Sequence, residues 1–230
     1  MLGQFDFDVI RRSLGYLFVQ GMTFTLMLTA LATAGGILLG TLIALARLSS
    51  VPVLARLAVG YVNLVRSLPL VLVIFWFYFL VPYMAQWLTG ASQPVPVGAF
   101  ASALITFTLF EAAYFAEIMR AGITSIPRGQ TQAAQALGLT YPQVMAEVIL
   151  PQAFRNMLPV LLTQTIILFQ DTSLVYVVSL TDFFGAASKV AQRDGRLVEM
   201  YLFAGAVYFL ICFAASRLVK RFQARVAVIR

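Results

Sequence analysis

Pro127–Pro151 reads PRGQTQAAQALGLTYPQVMAEVILP. Its composition suits helices, yet it holds no apolar run long enough to cross a bilayer. It lies between two strongly apolar segments, where a membrane chain needs only a short connection. Ala133, Ala134, Ala136 and Leu137 can form the apolar face of a short helix. Gly138 is placed to end that helix in a left-handed cap, which glycine adopts without steric cost. Pro142 sits where a new helix can begin, and Pro151 is expected to break or kink the helix there. A helix–Gly–helix–Pro unit held at a membrane surface reads as a docking element. The plainer reading is an interfacial or re-entrant helix with no partner.

The rest of the chain sets the class. Hydrophobic residues make up 61% of the 230 residues and charged residues 11%, against about 25% charged in soluble domains. Mean hydropathy is +0.89. These values describe an all-α polytopic membrane protein, a single membrane domain over 1–230 with no room for a soluble catalytic domain. Net charge is +7, but the basic residues cluster at segment ends. That pattern fits headgroups and topology, not nucleic acid. The single cysteine, Cys212, cannot form an intrachain disulfide, and without histidine a His/Cys metal site is not expected. Asp6, Asp8, Arg11 and Arg12 precede any long apolar run, so Met1–Leu14 does not read as a secretory signal. Phe5, Phe7, Ile10 and Leu14 can form the face of an interfacial helix there; a disordered tip fits equally well.

About five crossings are expected from the apolar runs: Tyr16–Ala46, Leu57–Pro82, Gly98–Met119, Met157–Leu180 and Val198–Val219. Gly35, Gly36 and Gly40 suit close helix packing in the first. Ser67-Leu68-Pro69 is expected to kink the second. Gln86–Val97, without charge, reads as an outer loop. A loop of mixed charge, with Asp182, Lys189, Arg193, Asp194, Arg196 and Glu199, comes after the fourth crossing. Arg47 and Arg56 flank the first loop, Arg120 and Arg128 the Pro127–Pro151 stretch, and Arg217, Lys220, Arg221, Arg225 and Arg230 fill the tail. The positive-inside rule therefore puts these three regions in the cytoplasm and the N-terminus outside.

Ionisable residues inside crossings are costly, by about 2.5–3.5 kcal/mol on insertion scales, and so face a bundle interior or a cavity. Glu111 and Asp171 are the clearest cases. Glu111, Tyr114 and Ile118 share a face of the third crossing, and Glu117 can pair with Arg120. Thr163, Gln164, Ile167, Gln170, Asp171 and Leu174 form a polar stripe on the fourth. The stripe either lines a substrate path or satisfies itself as a packing device.

The spacing in Pro127–Pro151 resembles the coupling loop of bacterial ABC importer permeases: Glu-Ala-Ala, a glycine four residues on, then nine residues to Ile-x-Leu-Pro. Here these are Gln132-Ala133-Ala134, Gly138 and Val148-Ile149-Leu150-Pro151. Gln132 and Val148 depart from the pattern. The resemblance is closest to the polar amino-acid subfamily of glutamate/aspartate type. NLVRSLPL (Asn63–Leu70), FEAAYFAEIMRAGI (Phe110–Ile123) and LFQDTSLVYVVSLTDFF (Leu168–Phe184) carry it.

That resemblance implies a type I ABC importer permease fold, with a cytoplasmic coupling helix, in a bacterial inner membrane. It implies ATPase coupling through Gln132, Ala133, Ala134, Gly138, Leu139 and Pro151. It also implies a translocation site bordered by Gln170, Asp171, Thr172, Ser173, Glu111 and Tyr114, to which the stripe adds Gln164. The implied partners are an ABC ATPase dimer, a second permease, a periplasmic amino-acid-binding protein, the amino acid and membrane lipid. The chain has no G-x-x-x-x-G-K-[ST] run, so ATP and Mg are expected on the ATPase, and this chain is expected to bind no cofactor and to be no enzyme.

Glu111 and Asp171 would repel an acidic substrate, which keeps glutamine or a basic amino acid open as alternatives. A secondary carrier is a weaker alternative, because no internal repeat shows across five crossings. A membrane enzyme is weaker too, lacking the commonest general base, histidine.

Overall fold

The computed structural model describes residues 5–226; Arg230 of the basic tail lies outside them. Ten α-helices appear among the described residues, and no strand. They are α1 Phe7–Gly15, α2 Thr23–Arg47, α3 Pro52–Arg66, α4 Leu70–Thr89, α5 Ala99–Thr124, α6 Arg128–Ala136, α7 Tyr141–Gln143, α8 Leu150–Asp171, α9 Phe183–Asp194 and α10 Leu197–Val226. π-helical turns at Tyr16–Met22 and Val144–Ile149 join α1 to α2 and α7 to α8, and a 3₁₀ segment, Thr172–Val178, extends from α8. Among the described residues five segments are long and apolar enough to cross a membrane: Phe7–Arg47, Leu70–Thr89, Ala99–Thr124, Tyr141–Val178 and Leu197–Arg225.

Three expectations change. The second crossing is not one kinked helix. Ser67 ends α3 by donating its N–H to Asn63 O and Leu64 O at 3.2 and 3.1 Å. Pro69 has no N–H to continue the ladder and sits extended at φ −63°, ψ 129°. The chain restarts at Leu70, so α3 is a separate helix and α4 alone makes the span. The fourth crossing leaves α-geometry at Asp171, which removes Leu174 from the helical stripe. The mixed-charge loop is a buried helix, α9, with Phe183, Ala186, Ala187, Val190 and Ala191 enclosed. Asp182 caps it, accepting from the N–H groups of Phe184 and Gly185, both at 2.9 Å. Burial pushes the Asp182 carboxyl up to about 6, against the pull of those two donors. Thr25 Oγ1 accepts the Phe183 N–H at 3.0 Å and ties α9 to α2.

The chain divides into two compact units. The first takes the chain up to Ala34, Leu68–Thr108 and Ile166–Ala215. One of its cores joins Val9, Leu17 and Met22 to α9 and to Met200 and Ala204 of α10. The helix expected near the N-terminus is there, but Val9 and Ser13 face inward while Phe7 and Leu14 stay exposed. A second core joins Leu28, Ile74, Phe107, Leu168 and Val175.

The second unit takes Gly35–Ser67, Leu109–Thr165 and the chain from Ser216. Its core joins Ala44, Val62, Phe115, Ala116 and Leu161. Gly36 and Gly40 let α2 approach α5 closely. A Cβ on Gly40 would stand 2.8 Å from Phe115 Cβ and 3.0 Å from the Ala112 carbonyl. Backbone cannot yield cheaply there, so Gly40→Ala is expected to cost about 1–3 kcal/mol of stability. Gly60→Ala in α3, where a Cβ meets nothing within 4 Å, should be neutral or gain up to about 1 kcal/mol from helix propensity. Thermal unfolding of the two purified variants checks this. Equal melting points would refute the close approach.

Candidate functional site

The second unit contains the Pro127–Pro151 stretch as a folded element. Pro127, extended at φ −58°, ψ 137°, turns the chain into α6. At the other end Gly138 takes φ 84°, the left-handed cap expected from its spacing. Gly138 N–H donates to Gln135 O at 2.9 Å and Leu139 N–H to Ala134 O at 3.2 Å. The chain restarts at Thr140, whose N–H donates to Gln143 Oε1 at 2.9 Å, with Pro142 in the first turn of α7. Pro151 lies within one continuous helical run, Tyr141–Val178, directly after the π-helical turn Val144–Ile149; proline has no N–H to offer the preceding turn, and the ladder leaves α-geometry there without the run ending.

The buried face of α6 differs from the expected one. Ala134 alone is buried, packed with Ile126, Val144, Ile149 and Ala153. Ala133, Ala136 and Leu137 point outward with Gln132, and Leu139 is half-buried. Leu137 is 83% exposed and Tyr141 63%. Two large side chains thus stand clear beside the non-spanning α6. Sequence reasoning does not single out Tyr141; its place beside Pro142, in a turn between helices, is the available signal.

Before this segment in the chain, Glu117 of α5 accepts from Arg120 Nη2 at 2.5 Å and Nε at 3.3 Å. Arg47, the last residue of α2, also donates to Glu117. By sequence Arg47 is a loop flank; its guanidinium is instead mostly buried, with 11% of the side chain exposed. The carboxylate thus ties the ends of α2 and α5. Glu117 borders a cavity of about 280 Å³, also lined by Gly122, Ser125, Asn156 and Met157. Asn156 Nδ2 donates to Ser125 Oγ at 2.9 Å across its rim.

The residues carried over to a translocation site fall in both units. In the second, Glu111 is fully buried. Gln164 Nε2 donates to its two oxygens at 3.1 and 3.3 Å, so the third and fourth crossings meet through this pair. Tyr114 is half-buried, with the Arg66 guanidinium 5.4 Å from its ring centroid and the Phe110 ring 5.2 Å away. In the first unit, Gln170 is exposed and Asp171 and Ser173 half-buried at the end of α8. Thr172 is fully buried and its hydroxyl donates to Phe169 O at 2.7 Å, which closes the last turn of α8. Among the described residues no group of three or more His, Cys, Asp or Glu side chains is placed to hold a metal.

Comparison with known proteins places this architecture. The family model for the binding-protein-dependent transport system inner membrane component matches residues 36–228. The chain is 53% identical over 224 residues to the glutamate/aspartate import permease protein GltK of Escherichia coli O6:H1, covering 97% of this chain and 99% of that one. It is 34% identical over 210 residues to the L-cystine transport system permease protein TcyB of Bacillus subtilis, covering 91% and 86%. Among solved structures, one titled an amino acid ABC transporter with histidines superposes with a TM-score of 0.85 at 31% identity, covering 96% of this chain and 98% of that one. The inward-facing MetNI methionine ABC transporter shares the fold, at a TM-score of 0.66 and 21% identity. With a family match over most of its length and five apolar spans around a folded, non-spanning α6 segment, the chain belongs to the family of binding-protein-dependent transport system inner membrane components, multi-pass permease subunits and not enzymes.

Proposed function

We propose that this permease carries glutamate or aspartate into the cell as part of an ATP-driven importer. The observation that carries this reading is the full-length likeness to a glutamate/aspartate import permease. Gln170, Asp171 and Ser173 of the first unit remain the residues we assign to the path, with Asp171 facing the substrate's ammonium group.

The segment around α6 is the ATPase contact, through Gln132, Ala133, Leu137, Gly138 and Tyr141. Five spans put the chain ends on opposite sides. Arg47, Arg56, Arg66, Arg120, Arg128 and the basic tail share one side. On the other, Arg11, Arg12, Lys189, Arg193 and Arg196 are matched by Asp6, Asp8, Asp182, Asp194 and Glu199. The first side holds the larger number of Lys and Arg, so it is the cytoplasm and the N-terminus is periplasmic.

Two ATPase subunits closing on ATP push α6. Differential ATP affinity for the inward- and outward-facing states then drives the alternation. A second, homologous permease completes the path, and a soluble binding protein loads it from outside.

The test is uptake into proteoliposomes that hold this chain with its ATPase, second permease and binding protein. Labelled glutamate or aspartate should accumulate only with ATP inside the ATPase-accessible compartment, and unlabelled arginine or glutamine should compete poorly. Uptake restricted to arginine or glutamine would overturn the substrate assignment.

A further inference from the structure

Within the first unit, α1, the end of α9 and the start of α10 meet in a cluster of ion pairs. Arg12 Nη2 reaches Asp194 Oδ2 at 3.0 Å, and Arg193 Nε holds the other oxygen at 2.8 Å. Arg196 Nη1 donates to Glu199 Oε1 at 3.3 Å, and its Nε lies 3.6 Å from Asp6 Oδ2. The pairs are lopsided. The side chains of Arg12, Arg193 and Arg196 are 53%, 65% and 40% exposed, while those of Asp194 and Glu199 are 14% and 9% exposed. The guanidinium groups therefore lie over the carboxylates, and the Arg193 guanidinium holds Asp194 below the usual carboxylate range.

The surface that solvent meets is more positive than the residue count implies. Arg11 is exposed and forms no ion pair among the described residues. Lys189 is exposed and donates to the Thr181 hydroxyl. Asp182 is fully buried and Asp6 half-buried. Asp8 is the exposed carboxylate of this end, and it sits in the first turn of α1, where the N-terminal helix dipole offsets its charge.

Holding α1 against α9 and α10 requires one arginine for Asp194 and one for Glu199. Arg11 and the second guanidinium on Asp194 are surplus to that task. Their placement also has a consistent logic. The carboxylates are enclosed while the guanidinium groups stay outward, so the outward face is cationic.

We infer that this arginine face docks an acidic surface of the soluble amino-acid-binding protein that loads the importer. The inference rests on the permease reading and on a periplasmic N-terminus. Rim charges of this kind act mainly on association rate and salt dependence.

The test uses the complete importer in nanodiscs containing phosphatidylglycerol, titrated with its own binding protein while ATPase stimulation is monitored. Arg11→Glu disturbs no ion pair, so loss of folding does not confound it; Arg193→Glu is the second variant. Each should raise the half-saturating binding-protein concentration about tenfold at low salt. The rate at saturation should be unchanged, and the difference should close at about 0.5 M salt, where the Debye length falls to a few ångströms. Unchanged half-saturation in both variants overturns the docking site. A defect that tracks the phosphatidylglycerol fraction and not the binding-protein concentration assigns the face to lipid, and overturns it equally. Arg11→Cys separates the underlying reading. Labelling by an impermeant maleimide only from the cytoplasmic side would refute the orientation, whereas labelling from outside with an unaltered titration would refute the docking alone.

Discussion

Gly138→Val should lower ATP-driven uptake and transport-coupled ATPase activity together, by roughly tenfold, while the protein stays folded. The reason is conformational and not steric. Gly138 holds φ 84°, yet a Cβ built there meets nothing within 4 Å. An L-residue in the left-handed region costs about 1–2 kcal/mol, and a β-branched one more. A cost of that size shifts an equilibrium by roughly tenfold. The chain escapes by rotating position 138 out of that region, and the bonds from Gly138 N–H to Gln135 O and from Leu139 N–H to Ala134 O are then lost. The exit from α6 swings, and with it Leu137 and Tyr141, the exposed apolar pair assigned to the ATPase contact. Asparagine tolerates the left-handed region, so Gly138→Asn should retain most activity, with Gly138→Ala between. Uptake and ATPase rates measured across the three variants check the order. A valine variant that transports at the wild-type rate would remove α6 and its cap from the coupling role.

Legibility in the sequence depends on the range of the interactions. The Gly138 cap, a helix start at Pro142 and the Glu117–Arg120 pair are set within a few residues, and spacing finds them. The α9 helix is legible too: Phe183, Ala186, Ala187, Val190 and Ala191 lie at the i, i+3, i+4, i+7, i+8 positions of a buried face. Its charges, facing solvent, favour a loop reading instead. The face of α6 is not legible. A short helix takes its inward side from whatever lies under it, and here Ile126, Val144, Ile149 and Ala153 gather around Ala134 alone. The Arg47–Glu117 contact is beyond reach, because it joins the ends of two helices 70 residues apart in sequence. The pairing of Glu111 with Gln164 belongs to the same class. Both residues stand out in the sequence as anomalies in a membrane segment, but only the packing of α5 on α8 shows that each answers the other.

That pairing carries the second large effect. Gln164→Leu should lower unfolding stability by about 1–3 kcal/mol, the cost of taking a hydrogen-bond donor from a buried polar group. Glu111 is fully buried, and both of its oxygens receive Gln164 Nε2. Leucine nearly fills the space but offers no donor, and a bilayer supplies little water to replace one. Glu111→Gln should cost less, since an amide at 111 can still accept from Gln164. The double replacement Glu111→Leu with Gln164→Leu should recover part of the Gln164→Leu loss, because it removes the buried carboxyl along with the donor it lost. Thermal unfolding of the variants in nanodiscs, with uptake measured well below the melting point, separates the two roles available to Glu111. A non-additive stability cycle with normal uptake in Glu111→Gln makes the pair a packing device that fixes α5 against α8. Full stability with lost uptake would instead put Glu111 in contact with the substrate.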